Sequence, residues 1–242
     1  MRNTMLGLLA ITLGYLLLWP VAVTPVSWQA PQDPGFSGDF EANQKLKDLT
    51  YLSIAGEYGP EDLAINSTGD IFASMHSGMI MRFNPAAMSF EPWVSTGGRP
   101  LGIEFDGQDN LIVADAFIGL LAISPTGDIT VLTDVADNVP ILYADDLDIA
   151  EDGLIYFSDA STKFGAKHNG GTLPASLLDI MEHGGHGRLL VYDPVTSETR
   201  VLATDIDFAN GVALSHDQQS VLINETGTYR VLRIWLQGEQ QG

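Results

Sequence analysis

One pattern of apolar and polar residues recurs four times along the chain. In each copy a polar entry leads into a short apolar segment, and a tight turn connects it to a second apolar segment with a polar end. Short apolar runs bounded by turn residues are typical of β-strands. The first segments contain the apolar anchor residues Leu63, Ile103, Leu147 and Val212.

The spacing of these anchors indicates a repeat architecture. They lie 40, 44 and 65 positions apart, and a period of about 40–45 residues is the signature of a β-propeller blade. The last interval is longer because residues 160–187 form an insertion, in which 174–181 has a helical pattern. Further strands are expected at 79–83, 93–94, 120–123, 129–132, 188–192, 199–202 and 230–235. We therefore predict an all-β, propeller-type chain truncated to about four blades.

The N-terminal segment has a different character. Met5 to Val23 form a run of 19 mostly apolar residues behind one basic residue, Arg2, which is long enough to cross a bilayer. We predict a transmembrane anchor over 1–24, a proline-containing linker over 25–50 and the partial propeller over 51–242. Arg2 would keep the N-terminus inside, so the propeller would lie on the outer (periplasmic, extracellular or lumenal) side. A cleaved signal peptide, and hence secretion, is the alternative.

Composition narrows the classes of function. The chain carries 31 acidic and 11 basic residues, for a formal charge of −20, which disfavours nucleic acid and anionic lipid as partners. It has no cysteine, so disulfides and thiolate metal sites are excluded. The serine-hydrolase elbow, the zinc-protease helix and the phosphate-binding loop have no matching motif. A small-molecule substrate remains the expected partner, and the oligomeric state stays open.

Candidate chemistry lies two residues before each anchor, at Glu61, Leu101, Asp145 and Asn210. The first strand of a propeller blade lines the central channel, so these side chains should converge in a region that we call the hub. Carboxylate and amide oxygens suit Ca²⁺ better than zinc, which prefers nitrogen and sulfur. We predict a Ca²⁺ site from Glu61, Asp145 and Asn210. The alternative is that Asn210 only forms a turn and that Asp145 only caps backbone amides.

A second set of residues follows the second strand of each copy. If those strands return to the hub face, their exits and the insertion would form the rim of a pocket. The alternative is that the carboxylates tie the blades together through hydrogen bonds. The predicted rim residues are His76, Asp115, Asp159 and Glu225.

Several motifs together resemble the strictosidine synthase-like family, and most of all its adipocyte plasma membrane-associated protein branch. They lie at 59–61, 98–103, 113–116, 156–159, 187–193, 210–212 and 225–226. The resemblance implies a six-bladed propeller, related to gluconolactonases and paraoxonases, of which two blades are absent here. It also implies a calcium cage, in which Glu61 and Asn210 match the family pattern and Asp145 replaces an asparagine. Leu101 stands where paraoxonases have a histidine.

These observations lead to one hypothesis and two alternatives. The hypothesis is a membrane-anchored, Ca²⁺-dependent esterase or lactonase, in which Asp145 serves as base or nucleophile. The first alternative is a metal-free amine–aldehyde condensation of the strictosidine synthase type. The second is a non-catalytic propeller that presents a binding surface, since fold alone does not determine function.

Overall fold

Four antiparallel sheets follow one another along residues 63–235 of the computed structural model, which describes residues 2–238. The first contains β1 (Leu63–Ile65), β2 (Ile71–Ser74), β3 (Met79–Asn84) and β4 (Ser89–Ser95). The second contains β5 (Pro100–Phe105), β6 (Leu111–Asp115), β7 (Gly119–Ile123) and β8 (Ile129–Thr133). A small hairpin, β9 (Val135–Ala136) and β10 (Val139–Pro140), leads to the third sheet.

The third sheet contains β11 (Ala144–Ile149), β12 (Ile155–Asp159), β13 (Gly187–Asp193) and β14 (Glu198–Ile206). The fourth has the three strands β15 (Ala209–Leu214), β16 (Ser220–Glu225) and β17 (Arg230–Trp235). Strands within each sheet pair in sequence order, as expected for blades built from consecutive hairpins. The prediction of an all-β chain made of four successive units is confirmed.

The helices lie outside these sheets. Helix α1 covers Arg2–Leu18, helix α2 covers Thr172–Glu182 inside the insertion, and two 3₁₀ helices cover Gly38–Phe40 and Thr226–Thr228. The predicted transmembrane segment ran from Met5 to Val23, whereas α1 ends two residues before Pro20, because a proline disfavours helical geometry in the residue before it. Within residues 2–238, neither helix has both the length and the apolar character required to cross a membrane. The predicted transmembrane helix is therefore not found.

The core lies between adjacent sheets. Phe72, Ile80 and Leu121 belong to the cluster between the first and second sheets, and Leu120, Phe157 and Leu190 to the next. A third cluster, around Leu189 and Ile223, joins the last two sheets. Complete burial of one such side chain is worth about 1.5–3 kcal/mol. Each blade is thus stabilised mainly by its neighbours.

Carboxylates reinforce this packing along the first strands. Each accepts a hydrogen bond from a backbone N–H on the first strand of the following sheet. We call Asp62, Glu104, Asp146 and Asp148 the inner carboxylates. Their donors are Ile103 N at 2.8 Å, Ile149 N at 2.9 Å, Val212 N at 2.7 Å and Leu214 N at 2.7 Å, respectively. Successive first strands therefore adjoin one another, as a propeller channel requires.

Candidate functional site

A β-bulge opens the first strand of the second, third and fourth sheets. In the third sheet the pairing passes from Ala144, opposite Asp159, directly to Leu147, opposite Phe157. The same break occurs between Pro100 and Ile103 and between Ala209 and Val212. Bulges redirect side chains and are frequent near active sites. Three of the four predicted hub positions, Leu101, Asp145 and Asn210, lie within these bulges.

Asp145 is the most constrained residue of the hub. Its side chain is buried, and its Oδ2 atom has no hydrogen-bond partner among the described residues. Burial, together with the nearby carboxylates of Glu61 and Asp146, raises the pKa of Asp145 well above its usual value, against the opposing effect of Arg99. An uncompensated buried carboxylate is costly and calls for a proton or a cation beside it.

Glu61 precedes the first sheet and keeps about half of its side chain in solvent. Its Oε2 atom accepts a hydrogen bond from Arg99 Nη2 at 3.3 Å, and Arg99 Nη1 donates to the carbonyl of Pro100 at 2.9 Å. Arg99 itself is buried, and its Nε atom has no partner among the described residues. A buried guanidinium with an unused donor is therefore part of the hub.

Tyr143 adds a hydroxyl to the same region. It lies immediately before β11, is buried and packs edge-on against Phe208 at a centroid distance of 5.4 Å. Burial and the adjacent Asp145 raise the pKa of Tyr143, while a hydrogen bond with the Thr172 side chain opposes the increase. Tyr143 also lies in one apolar cluster with Ala175 of α2, so the insertion reaches the hub through this packing.

The remaining hub positions form the apolar and amide parts of the site. Leu101 is buried in a cluster with Tyr143, Phe208 and Ala175 of α2, while Asn210 is only partly buried. Across residues 2–238, no three His, Asp or Glu side chains form a metal-binding group. The predicted calcium set includes only two such residues, and an amide would be its third ligand.

Two predicted rim residues are buried and fully engaged in hydrogen bonds. Asp115 is buried and accepts hydrogen bonds from Thr96 Oγ1 at 2.8 Å and from the backbone N–H groups of Arg99 and Phe117 at 2.9 Å each. Asp159 accepts from Tyr143 N at 3.0 Å and pairs with Arg188 Nη2 at 2.5 Å. These bonds fix the loops that lead into the hub.

Glu225 and His76 differ from this pair. Glu225 is buried and accepts from Asp207 N at 3.1 Å and from Arg230 Nε at 2.7 Å, so it occupies the equivalent position in the fourth sheet. In the first sheet, Leu63 pairs with Ala73 as Ile103 pairs with Val113, so Met75 is the equivalent of Asp115. His76 lies one residue beyond that position, exposed and stacked on Tyr58 at 4.8 Å.

Sequence reasoning missed Arg99 and Tyr143 as members of the hub. Arg99 belongs to the Gly98–Ile103 motif that carried the resemblance, but the motif assigned it no role. Tyr143 stands two residues before Asp145, outside the aligned repeat position. The bulges and the insertion bring both residues to the hub, and neither effect follows a fixed sequence spacing.

Family models match two parts of the chain. The strictosidine synthase model matches residues 145–239, and the strictosidine synthase-like N-terminal model matches residues 38–83. Together they include the Glu61, Asp145 and Asn210 positions.

Related sequences match more of the chain. Strictosidine synthase-like protein 6 of Arabidopsis thaliana is 40% identical over 199 residues, covering 80% of this chain and 52% of that protein. The adipocyte plasma membrane-associated protein of Salmo salar is 31% identical over 259 residues, covering 96% of this chain and 60% of that protein. The chain thus spans about half the length of the first curated relatives that it matches.

Among solved structures, a gluconolactonase from Xanthomonas campestris is similar, with a TM-score of 0.61 and 18% sequence identity. The match covers 74% of this chain and 59% of the gluconolactonase. At this identity the likeness concerns the fold alone. It confirms the propeller-type architecture inferred from the sequence period, while the count of six blades stays a prediction.

Proposed function

Because this chain belongs to the strictosidine synthase-like family, we propose that it carries the hub of a hydrolase that opens lactone or ester bonds with a bound divalent cation, Ca²⁺. One observation carries the proposal: the buried Asp145 carboxylate has an oxygen without a partner and lies near the carboxylate of Glu61. Such an arrangement is unfavourable in an empty hub and favourable around a cation.

The donor set suits a hard cation. Glu61, Asp145 and Asn210 would hold it through two carboxylates and one amide oxygen, the ligand type that Ca²⁺ prefers. When bound, the ion would supply Lewis-acid polarisation of the substrate carbonyl. A complete calcium shell has 6–8 oxygen ligands, so the substrate, water or the rest of a longer protein would provide the others.

The chain's own residues account for the remaining chemistry. The Asp145 carboxylate would take the proton of the attacking water as the water oxygen bonds to the carbonyl carbon. The bond to the leaving oxygen then breaks, and that oxygen takes the proton. The unused Nε donor of Arg99 would hold a substrate oxygen, while Leu101 and Phe208 form an apolar wall.

A second candidate function rests on the Glu61–Arg99 contact. The guanidinium already supplies positive charge beside Glu61, as an ion-free hub would need. This favours the metal-free amine–aldehyde condensation as the alternative. Metal dependence of turnover distinguishes the two.

Location is part of the same proposal. One relative is named as a plasma membrane-associated protein, and this chain has no charged side chain from residue 3 to residue 32. We propose that the N-terminal segment associates with a membrane and that the propeller faces its outer side.

The test is thermal unfolding of the full chain in detergent micelles with Ca²⁺ or with chelator. A ligand that binds only the folded state stabilises it by about 2.7 kcal/mol at a hundred times its Kd. We expect a higher Tm with Ca²⁺, loss of that shift in Glu61→Gln and Asp145→Ala, and a normal shift in the control Asp128→Asn, whose side chain lies in an exposed turn.

Turnover of aryl esters and lactones is then measured with and without chelator. Calcium-dependent hydrolysis that Asp145→Asn abolishes is the expected result. Calcium-independent condensation of an amine with an aldehyde would favour the alternative. Ligand binding without turnover would identify a binding module.

A further inference from the structure

Helix α2 buries its charged residues and exposes three of its large apolar ones. Its two charged residues, Asp179 and Glu182, are buried, together with Ala175. Leu173, Leu177 and Met181 face solvent instead, with exposed fractions of 65%, 52% and 65%. These three residues are spaced by four positions and therefore share one face of the helix. We call them the outer stripe.

Polar contacts hold the buried face in place. Asp179 Oδ2 accepts a hydrogen bond from Ser161 Oγ at 2.5 Å, and Glu182 pairs with Lys163 Nζ at 2.6 Å and with His186 Nε2 at 2.8 Å. Burial alone would raise the pKa of Glu182, but these bonds outweigh it and lower the pKa to about 2. Rotating the helix to bury the stripe would break this network, so the exposed stripe is a fixed feature of the fold.

The outer stripe is free of charge in a strongly acidic chain. The formal net charge is −20, yet no charged side chain of α2 faces solvent. The stripe extends over about 12 Å, because eight steps of 1.5 Å separate Leu173 from Met181. An uncharged apolar face on such a protein is unsuited to water and to a basic partner.

The N-terminal chain is attached beside the stripe. Residues 24–28, which we call the strap, run past the C-terminal end of α2. Thr24 N donates to Glu182 Oε2 and Val26 N donates to the carbonyl of Glu182, both at 2.7 Å. The Trp28 ring contacts His183 at a centroid distance of 4.5 Å and the exposed Tyr229 at 5.8 Å.

We propose that the outer stripe of α2 docks on the surface of a lipid bilayer, next to the strap. Helix α1 is apolar around its circumference, and nearly all of its described residues are exposed. Lipid is the environment that covers such a helix. Because the strap fixes the chain that follows α1 to the end of α2, lipid that takes up α1 also meets the stripe. Trp28 and Tyr229 have the aromatic character typical of the bilayer interface.

A lipid surface fits better than a protein partner. A stable protein interface buries roughly 800 Å² on each side, more than three partly exposed side chains supply. The acidic net charge favours a zwitterionic surface over an anionic one. This inference rests on the membrane association proposed above for the N-terminal segment and is independent of the chemistry proposed for the hub.

The chain has no cysteine, so a single introduced thiol carries an environment-sensitive fluorophore without further changes. We propose Leu177→Cys in the full chain, with Val195→Cys as control, because Val195 is 90% exposed in a turn of the third sheet. With phosphatidylcholine vesicles, the label at 177 should shift to the blue and be quenched by lipid-borne quenchers. The label at 195 should show neither the blue shift nor the quenching. Added phosphatidylserine should weaken both effects.

A paired substitution tests the same surface without a label. Leu177→Asp combined with Met181→Asp should weaken vesicle binding about tenfold, since two apolar contacts are lost and two charges gained. Val195→Asp should leave it unchanged. The proposal is overturned if the label at 177 stays in water while the chain is bound to vesicles. It is equally overturned if that label is already buried without vesicles, because protein would then cover the stripe.

Discussion

At the scale of single residues, the same carboxylate position serves different partners from blade to blade. Asp115 accepts from a threonine and two backbone amides, whereas Asp159 also carries a buried ion pair with Arg188. Both side chains of that pair are nearly inaccessible. Breaking a buried pair costs more than breaking an exposed one, because the remaining charge is left without compensation.

Arg188→Ala should therefore destabilise the fold by about 3 kcal/mol, since it leaves Asp159 buried and only partly compensated. The control is Arg82→Ala, whose pair with Asp70 at 2.7 Å is about half exposed on the arginine side. It should cost below about 1 kcal/mol. Urea unfolding of both variants provides the comparison. Equal losses would show that burial does not determine the strength of these pairs.

The hub was accessible to sequence analysis only in part. The repeat phase places Glu61, Asp145 and Asn210 at equivalent positions, because a strand repeat preserves spacing along the channel. Arg99 enters from the loop before β5, and Tyr143 joins through its contact with α2. Such contacts depend on loop conformation, which does not repeat from one blade to the next as the strand spacing does. The cation ligand set therefore stays a prediction from the repeat, whereas the guanidinium and the phenol beside it were found only in the structure.

At the scale of elements, the bulges demand close approach between neighbouring first strands. A side chain added at Gly102, in the bulge of β5, would place its Cβ atom 2.5 Å from Asp146 Oδ1 and 2.8 Å from Asp146 Cα. The second contact is with backbone, which cannot move aside without separating the two sheets. Glycine is thus required where the second and third blades meet at the hub.

Gly102→Ala should lower the free energy of unfolding by about 1–3 kcal/mol, the range for overpacking a tight site. Gly107→Ala is the matched control, because it lies in the turn of the same hairpin with no atom within 4 Å of the added Cβ. The two Tm values, measured under identical conditions, test the contact. A Gly102→Ala protein as stable as the control would mean that the blades can separate freely.

The turn residues in the sequence predicted the strand positions closely, because they mark both ends of each strand in a hairpin. The expected strands at 79–83 and 230–235 correspond to β3 and β17, and the helical pattern at 174–181 lies within α2. The orientation of α2 could not be foreseen in this way. An amphipathic pattern assigns apolar residues to the inside, whereas here Ser161, Lys163 and His186 attract the acidic face inward.

At the scale of the whole molecule, the inner carboxylates join the blades but also repel one another. Burial, followed by the charges of Asp148 and its neighbours, raises the pKa of Glu104 to about 7, although the bond from Ile149 N opposes this. The folded state therefore holds a proton on Glu104 more firmly than the unfolded chain. This stabilisation is complete below about pH 4.5 and is lost as the pH rises through 7.

We expect the chain to become less stable between pH 5 and pH 8, with Glu104 contributing about 1 kcal/mol after allowance for its partial exposure. Glu104→Gln keeps an acceptor for Ile149 N and removes the titration, so its stability should change less with pH. Chemical unfolding at several pH values in this interval measures the difference. A slope that Glu104→Gln leaves unchanged would assign the effect to other groups.

The strap has a practical bearing on how the protein is produced. A recombinant version trimmed at Trp28 to remove the apolar N-terminus would lose the two amide donors that Thr24 and Val26 give to Glu182. Each such bond is worth about 1 kcal/mol, so the insertion would be loosened just where α2 meets the Lys163 and His186 network. Limited proteolysis should then cut the trimmed protein near residue 183 sooner than the full chain. A version made without the apolar N-terminus should therefore begin before Thr24, so that both amide donors are kept.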